Sequence, residues 1–340
     1  MRPPSLVPVL VAVGVALAAA ACGSDVDAPA PAPTTADPAP ATSSTAVGAP
    51  GGSVVESVCA GRVESPATVE VAVPPLVEAS GLAVSRTNDG VLWAHNDSGD
   101  SARVFAFGAD GARLGTYRLD GVDAVDWEDL ALGPAVDAAG DPVDDRDALY
   151  VADIGDNQAV RPVVTLHRVD EPVLAAGAGP VRARLDDVES LEVRYPDGPH
   201  DAEALLVDRT EGSFTIIAKD LAGGAVGVYQ GPLAGWGDDP AVPRTLERVA
   251  TFDPGPGFVA SVTGADLTPA GDVLAVRTYG GVHLYERPAG ASVADALAAE
   301  PCDGPVPFEA QGEAVALAPD GSAYYTLPEG ERPRLSRWAP

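Results

Sequence analysis

Lysine is almost missing from this sequence: Lys219 is the sole one among 21 basic residues, set against 50 acidic ones. The resulting net charge of −29 makes nucleic acid and anionic lipid headgroups poor partners for the surface as a whole. The acidity is spread along the chain, so its first meaning is solubility. Cysteine is scarce too. Cys22, Cys59 and Cys302 show no CxxC spacing, which disfavours structural zinc and thiol redox chemistry. The four histidines, His95, His167, His200 and His283, lack the spacing of metal ligands. No GxSxG elbow, HExxH, P-loop or EF-hand loop occurs, leaving the matching hydrolase, protease, nucleotide and calcium-loop readings without support. Long helical periodicity is also absent, and residues 292–299 alone read as a short helix.

The longest apolar run stands at the start. Arg2 opens it with a positive charge, residues 6–20 are uncharged and almost wholly apolar, and Ala19-Ala20-Ala21 precede Cys22. A permanent membrane span needs about 20 apolar residues, which this run does not reach. The pattern resembles the bacterial lipoprotein signal, in which small residues precede a cysteine that is lipidated and becomes the mature N-terminus. Ala19 stands where that signal usually has leucine, and free secretion after an Ala-x-Ala cut is the alternative. The resemblance implies a signal peptide over residues 1–21, an acyl (palmitate-type) lipid on Cys22 and attachment to the outer side of the cell membrane through that lipid only. Residues 25–53 are rich in Ala, Pro, Thr, Ser and Gly without apolar periodicity. Such a segment cannot bury enough surface to offset its ordering entropy, so residues 22–58 read as a flexible tether. The folded domain is then residues 59–340. In an oxidising compartment Cys59 and Cys302 are expected to pair, the alternative being two buried thiols.

From residue 65 onward, short β-rich runs alternate with Asp, Gly, Pro and Asn turns, which indicates an all-β fold. Five segments repeat one pattern: EASGLAV at 78–84, DWEDLAL at 126–132, DAEALLV at 201–207, TGADLTP at 263–269 and QGEAVAL at 311–317. Aligned on Leu82, Leu130, Leu205, Leu267 and Val315, they are spaced by 48, 75, 62 and 48 residues. Propeller blades repeat about every 40–50 residues, so two spacings fit and two need insertions. Further strands are readable after each motif. The fourth strand of the fourth repeat falls weakly near residues 306–309, and the last repeat lacks a fourth strand. Residues 68–73, ahead of the first motif, can fill that gap and close the ring, which removes an open sheet edge. The reading is a single five-bladed β-propeller, or six-bladed if the long second repeat hides another blade, with the two cysteines near the closing seam.

In a propeller the starts of the innermost strands and the loops between second and third strands share one face. That places Glu128, Glu203 and Glu313, which occupy the same repeat position, around the channel mouth. Asp126, Asp129, Asp201 and Asp266 stand beside them, and the neighbouring loops bring His95, Asp97, Asp153, Asp156, Lys219, Arg277, Tyr279 and Glu329. Carboxylates converging with carbonyls suit calcium or magnesium, and crowded carboxylates need a cation or protons to relieve their repulsion. Glu128, Glu203, Glu313, Asp153 and Asp156 are therefore the candidate metal ligands. Lys219, Arg277, His95, Asp97 and Tyr279 are the candidates for holding a ligand, the two cations for an anionic group. Turn formation explains single Asp and Asn residues equally well, but no turn requires Glu three times at one repeat position.

The segments EASGLAVS, LWAHNDSGD, DWEDLALG, LYVADIGDN, PDGPHDAEALLVD and QGEAVALAPDG together resemble secreted β-propeller proteins of actinobacteria, over nearly the whole folded part. The resemblance implies the propeller and a surface location, and carries no activity. The acidic face is also similar in architecture to phytase-like propellers, which cleave phosphate esters with calcium and basic residues; fold alone does not decide function. Two readings follow: a binding propeller for a small molecule, glycan or protein, with structural calcium, and a calcium-dependent phosphoesterase. Mass spectrometry of the mature N-terminus is expected to find a lipid-modified Cys22; an unmodified residue, or a start elsewhere, means free secretion instead.

Overall fold

The computed structural model describes residues 52–340 apart from 138–140, 176, 178 and 237–241. Cys22, the signal peptide and most of the expected tether lie outside the described residues. Among the described residues no helix is long and apolar enough to cross a membrane.

Five sheets form the blades of a β-propeller. Strands Ala79–Val84, Val91–Asn96, Arg103–Gly108 and Arg113–Leu119 make the first. The second comprises Trp127–Val136, Pro142–Asp153, Val164–Asp170 and Glu189–Arg194. In the third, Ala202–Asp208, Ser213–Ala218 and Val226–Pro232 are followed by Glu247–Phe252. The fourth holds Val262–Leu267, Val273–Thr278, Gly281–Glu286 and Cys302–Gly304. Gly312–Leu317, Tyr324–Pro328 and Arg334–Trp338 make the fifth, and Ala67–Glu70 completes it from the other end of the chain, pairing Ala67 with Arg337 and Glu70 with Arg334. The expected closure is thus observed. The innermost strands are covered on both faces, which is why they read as nearly continuous runs of small and branched apolar residues.

The two long repeat spacings hide no further blade among the described residues. In the second repeat the first two strands extend into a longer hairpin, and the link after the third strand carries Val181–Leu185. That strand pairs in parallel with Arg113–Leu119 of the first blade. In the third repeat, Arg244–Thr245 pairs in parallel with Glu189–Arg194 of the second blade. Each insertion therefore adds an outer strand to the preceding blade.

Three expectations need correction. The outer strand of the fourth blade is Cys302–Gly304, not residues 306–309. The region assigned to the tether ends in a helix, Val54–Cys59, capped by Ser53, whose side chain accepts from the Glu56 N–H. Its Val54, Val55 and Val58 pack with Leu284, Leu317 and Trp338 of the fourth and fifth blades. Finally, Ala265 pairs with Val276 as Leu205 pairs with Ile216, so the fourth motif aligns on Ala265, two residues before Leu267. The short helix expected over 292–299 is present as Val293–Leu297, held by a capping box between Ser292 and Asp295.

Cys59 and Cys302 form a disulfide across 243 residues, joining the N-terminal helix to the outer strand of the fourth blade. Closing so long a loop stabilises the fold by about 5 kcal/mol on a chain-entropy argument.

Two buried carboxylates join the blades at the axis. Asp129 Oδ1 accepts the N–H of Leu130 at 2.8 Å, and its Oδ2 accepts those of Leu205 at 2.8 Å and Ala265 at 3.1 Å. One side chain thereby serves the second, third and fourth blades. Asp266 accepts from Leu267 at 2.8 Å and from Leu317 at 2.7 Å, linking the fourth blade to the fifth. Both carboxylates, expected at the rim, act as pins below it. Replacing Asp129 with Ala leaves three N–H groups without this acceptor, and is expected to cost about 3 kcal/mol or more. Denaturant titration of the full chain checks this; an unchanged midpoint contradicts the pinning role.

Candidate functional site

Every inner strand carries a β-bulge just inside its start, on the same end of the propeller. A bulge takes a residue out of the ladder and re-aims its side chain. The bulged positions are Ser80-Gly81, Glu128, Glu203, Thr263 and Glu313. In the first and fourth blades the hydroxyl bonds the next blade: Ser80 donates to the Glu128 carbonyl, and Thr263 to those of Gly312 and Glu313 at 3.1 and 3.0 Å. The remaining three bulges supply the glutamates of the channel mouth, each less than 5% exposed (3%, 3% and 4%).

Glu128 is shared between two groups of carboxylates. It lies with Asp97 and Asp126, and again with Asp201 and Glu203, with the ligand atoms of each group all within 4.8 Å of one another. Gly155 makes the crowding possible, because a Cβ there would collide with Glu128 Oε1 and the Asp126 carboxylate. Burial, then repulsion from Glu203, pushes the Glu128 carboxyl well above its ordinary pKa. Burial likewise raises Glu203, Asp201 and Glu313. Asp126 is pushed up to about 6 by burial and by Asp97, and Glu329 to about 7 by burial and by Glu313.

Lys219 is the counter-charge, pairing with Glu203. Its burial opposes the ammonium charge, but Glu203 outweighs that and holds the pKa above its ordinary value. The ammonium also donates to Tyr279 Oη at 3.2 Å, with the Tyr279 ring centroid 5.2 Å away. Phe258 stacks on that tyrosine with ring centroids 4.4 Å apart. Glu313 stands beside this pair, and its Oε2 is buried without a hydrogen-bond partner.

The structure thus brings Glu128, Glu203, Glu313, Asp97, Lys219 and Tyr279 together. It does not bring all candidates. Asp153 lies outside the two groups: its carboxylate takes Arg161 Nη2 at 2.7 Å and the N–H groups of Val125 and Asp126. Asp156 is occupied similarly, accepting the Arg161 N–H at 2.6 Å while its own N–H donates to Asp201 at 2.8 Å. Both hold the loop that carries Asp126 and Gly155. Arg277 is fully buried and paired with Glu309, with Nη1 3.4 Å from the Ala314 carbonyl, so it offers no charge to the open rim. His95 is buried as well; Nδ1 lies 2.8 Å from the Asn96 carbonyl, the ring meets Trp127 edge-on, and burial lowers its pKa. It supports the mouth from beneath as a neutral group.

Asp126 and Asp201, placed at the face by sequence but not chosen as ligands, take the positions expected of Asp153 and Asp156. Arg161, a few residues beyond Asp156, was the available sign that those two were already matched.

No family profile matches this sequence, and no curated protein matches it. Among solved structures it is similar to the PQQ-bound form of aldose sugar dehydrogenase from Streptomyces coelicolor. The identity is 13% and the TM-score 0.43, over 82% of this chain and 97% of that one. A likeness at that level carries no functional argument.

Carboxyls with raised pKa values bind protons more tightly folded than unfolded, so stability falls as pH rises from their unfolded values near 4 towards 6–7, then levels off. Chelator-treated protein is therefore expected to lose stability between pH 5 and pH 8, and Glu128→Gln to flatten that loss. Denaturant midpoints across this range check it; a wild-type midpoint that holds level contradicts it.

Proposed function

We propose that this chain is a lipid-anchored binding propeller whose channel mouth takes a hard divalent cation, calcium, and through it a small ligand, glycan or protein partner. The observation that carries the reading is the sharing of Glu128 between two oxygen-only carboxylate groups. Calcium accepts six to eight oxygen ligands in flexible geometry, whereas softer metals prefer nitrogen and sulfur. Glu128, Asp97 and Asp126 would hold one side of the ion, and Asp201 and Glu203 the other. The unpartnered Glu313 Oε2 supports the reading further, since a buried carboxylate oxygen is costly unless something occupies it.

Binding is favoured over phosphate-ester hydrolysis by the state of the two cations. Lys219 is committed to Glu203 and Arg277 to Glu309, so neither stands ready for phosphate. The lipid on Cys22 and the tether are part of this proposal, resting on the signal pattern before that cysteine.

Calcium is expected to raise the melting temperature of the full chain, a ligand at 100 times its Kd contributing about 2.7 kcal/mol. Glu128→Gln should weaken calcium binding at least tenfold, read by calorimetry, and a panel of phosphate esters should stay intact with calcium present. Calcium-dependent turnover would transfer the site to the hydrolase reading. Absence of any calcium effect removes the metal.

A further inference from the structure

The outer face of the first blade gathers positive charge in a chain that has little. Arg103 on Arg103–Gly108 stands directly opposite Arg118 on Arg113–Leu119, and Arg118 stands opposite Arg184 on Val181–Leu185. Two residue pairs further along, on the same face, Thr116 is opposite Arg182. Arg113 reaches the same place, its Nη2 donating to Thr116 Oγ1 at 3.0 Å. Like charges directly opposite on neighbouring strands destabilise a sheet.

Carboxylates relieve only part of this. Asp100 pairs with Arg103 at 2.7 Å, and Asp120 pairs with Arg184. Arg118 and Arg182 make no ion pair among the described residues. Arg113 has the Thr116 hydroxyl, and its Nε is buried without a partner. In a protein with 50 acidic residues, three guanidinium groups left without a carboxylate around one point are a local reversal of the surface charge. They surround a cavity of about 240 Å³ lined by Ser101, Arg103, Arg113, Thr116, Arg118 and Arg182.

We propose that this cavity is an oxyanion site that binds a phosphate group, carried by a free phosphate ester or by the headgroup of an anionic lipid. The planar guanidinium fork offers two parallel donors to adjacent phosphate oxygens, and several forks around one point match a tetrahedral dianion better than a single carboxylate. The Ser101 and Thr116 hydroxyls add donors of adjustable direction. Bound phosphate removes the cross-strand repulsion, so the ligand and the sheet stabilise each other. The site is separate from the acidic mouth and shares no residue with it.

The test uses the full chain carrying Cys22→Ser, so that no lipid drives membrane binding, with chelator present. Inorganic phosphate is expected to raise its melting temperature above that in sodium chloride of equal ionic strength. In the Arg118→Thr, Arg182→Thr double variant the phosphate shift is expected to vanish, and calorimetric affinity for phosphate to fall at least tenfold. In phosphate-free buffer at low salt the same variant should melt at or above the parent, which a plain loss of packing would not produce. Vesicles of phosphatidylcholine with phosphatidylglycerol then separate the two sources. Co-sedimentation that the double variant loses supports the headgroup, and a phosphate shift without co-sedimentation supports a free ester. No response to phosphate or to anionic vesicles, or a response the double variant keeps, overturns the proposal and leaves the arginines as guards of an exposed sheet edge.

Discussion

The propeller depends on what happens to the backbone N–H groups that face its axis. Each inner strand is the free edge of its sheet, so the N–H groups it turns toward the axis have no ladder partner in a place closed to solvent. Asp129 answers this by accepting three N–H groups from three blades, and Asp266 by joining the fourth blade to the fifth. Bulges at the starts of three of these strands turn Glu128, Glu203 and Glu313 toward the mouth. Blade cohesion and site geometry therefore meet on the same inner strands.

Charge is graded along the axis. At the mouth, carboxylates outnumber the one ammonium, that of Lys219, and burial keeps water from screening them. At the far end, Arg86 and Arg209 share Asp147, and Arg86 is drawn toward Asp266. Carboxylates are thus in excess at the opening, whereas at the far end the arginines are matched by Asp147 and Asp266.

Much of the fold was legible because a propeller repeats itself. Motif recurrence, alternation and the spare strand ahead of the first motif led to five blades and a closed ring, and Cys59 and Cys302 to the bridge. What escaped was set by residues that sequence spacing cannot place. Val181–Leu185 joins a blade it does not belong to in chain order, so the pattern showed only a long link. Thr263 sits at the bulge of a strand whose most visible leucine, Leu267, lies two positions past the equivalent of Leu205, which misled the alignment of the fourth motif. For the site, the glutamates were readable because Glu has no role in turns. The choice between Asp126 and Asp153 was not, because both are loop carboxylates and only Arg161, folded back onto Asp153, separates them.

The covalent link at the seam also decides how the molecule bears a load. The ring is closed by Ala67–Glu70, a four-residue outer strand that no covalent bond holds to Arg334–Trp338, and such a strand peels easily when pulled from one end. Along the chain, Cys59 comes before that strand, and its sulfur is bonded to Cys302 in the fourth blade. Tension arriving from the N-terminal side therefore passes into the body of the propeller through a covalent bond and never reaches the closing strand. A pull applied at the N-terminus would be borne by the helix and the bridge, leaving the closing strand slack.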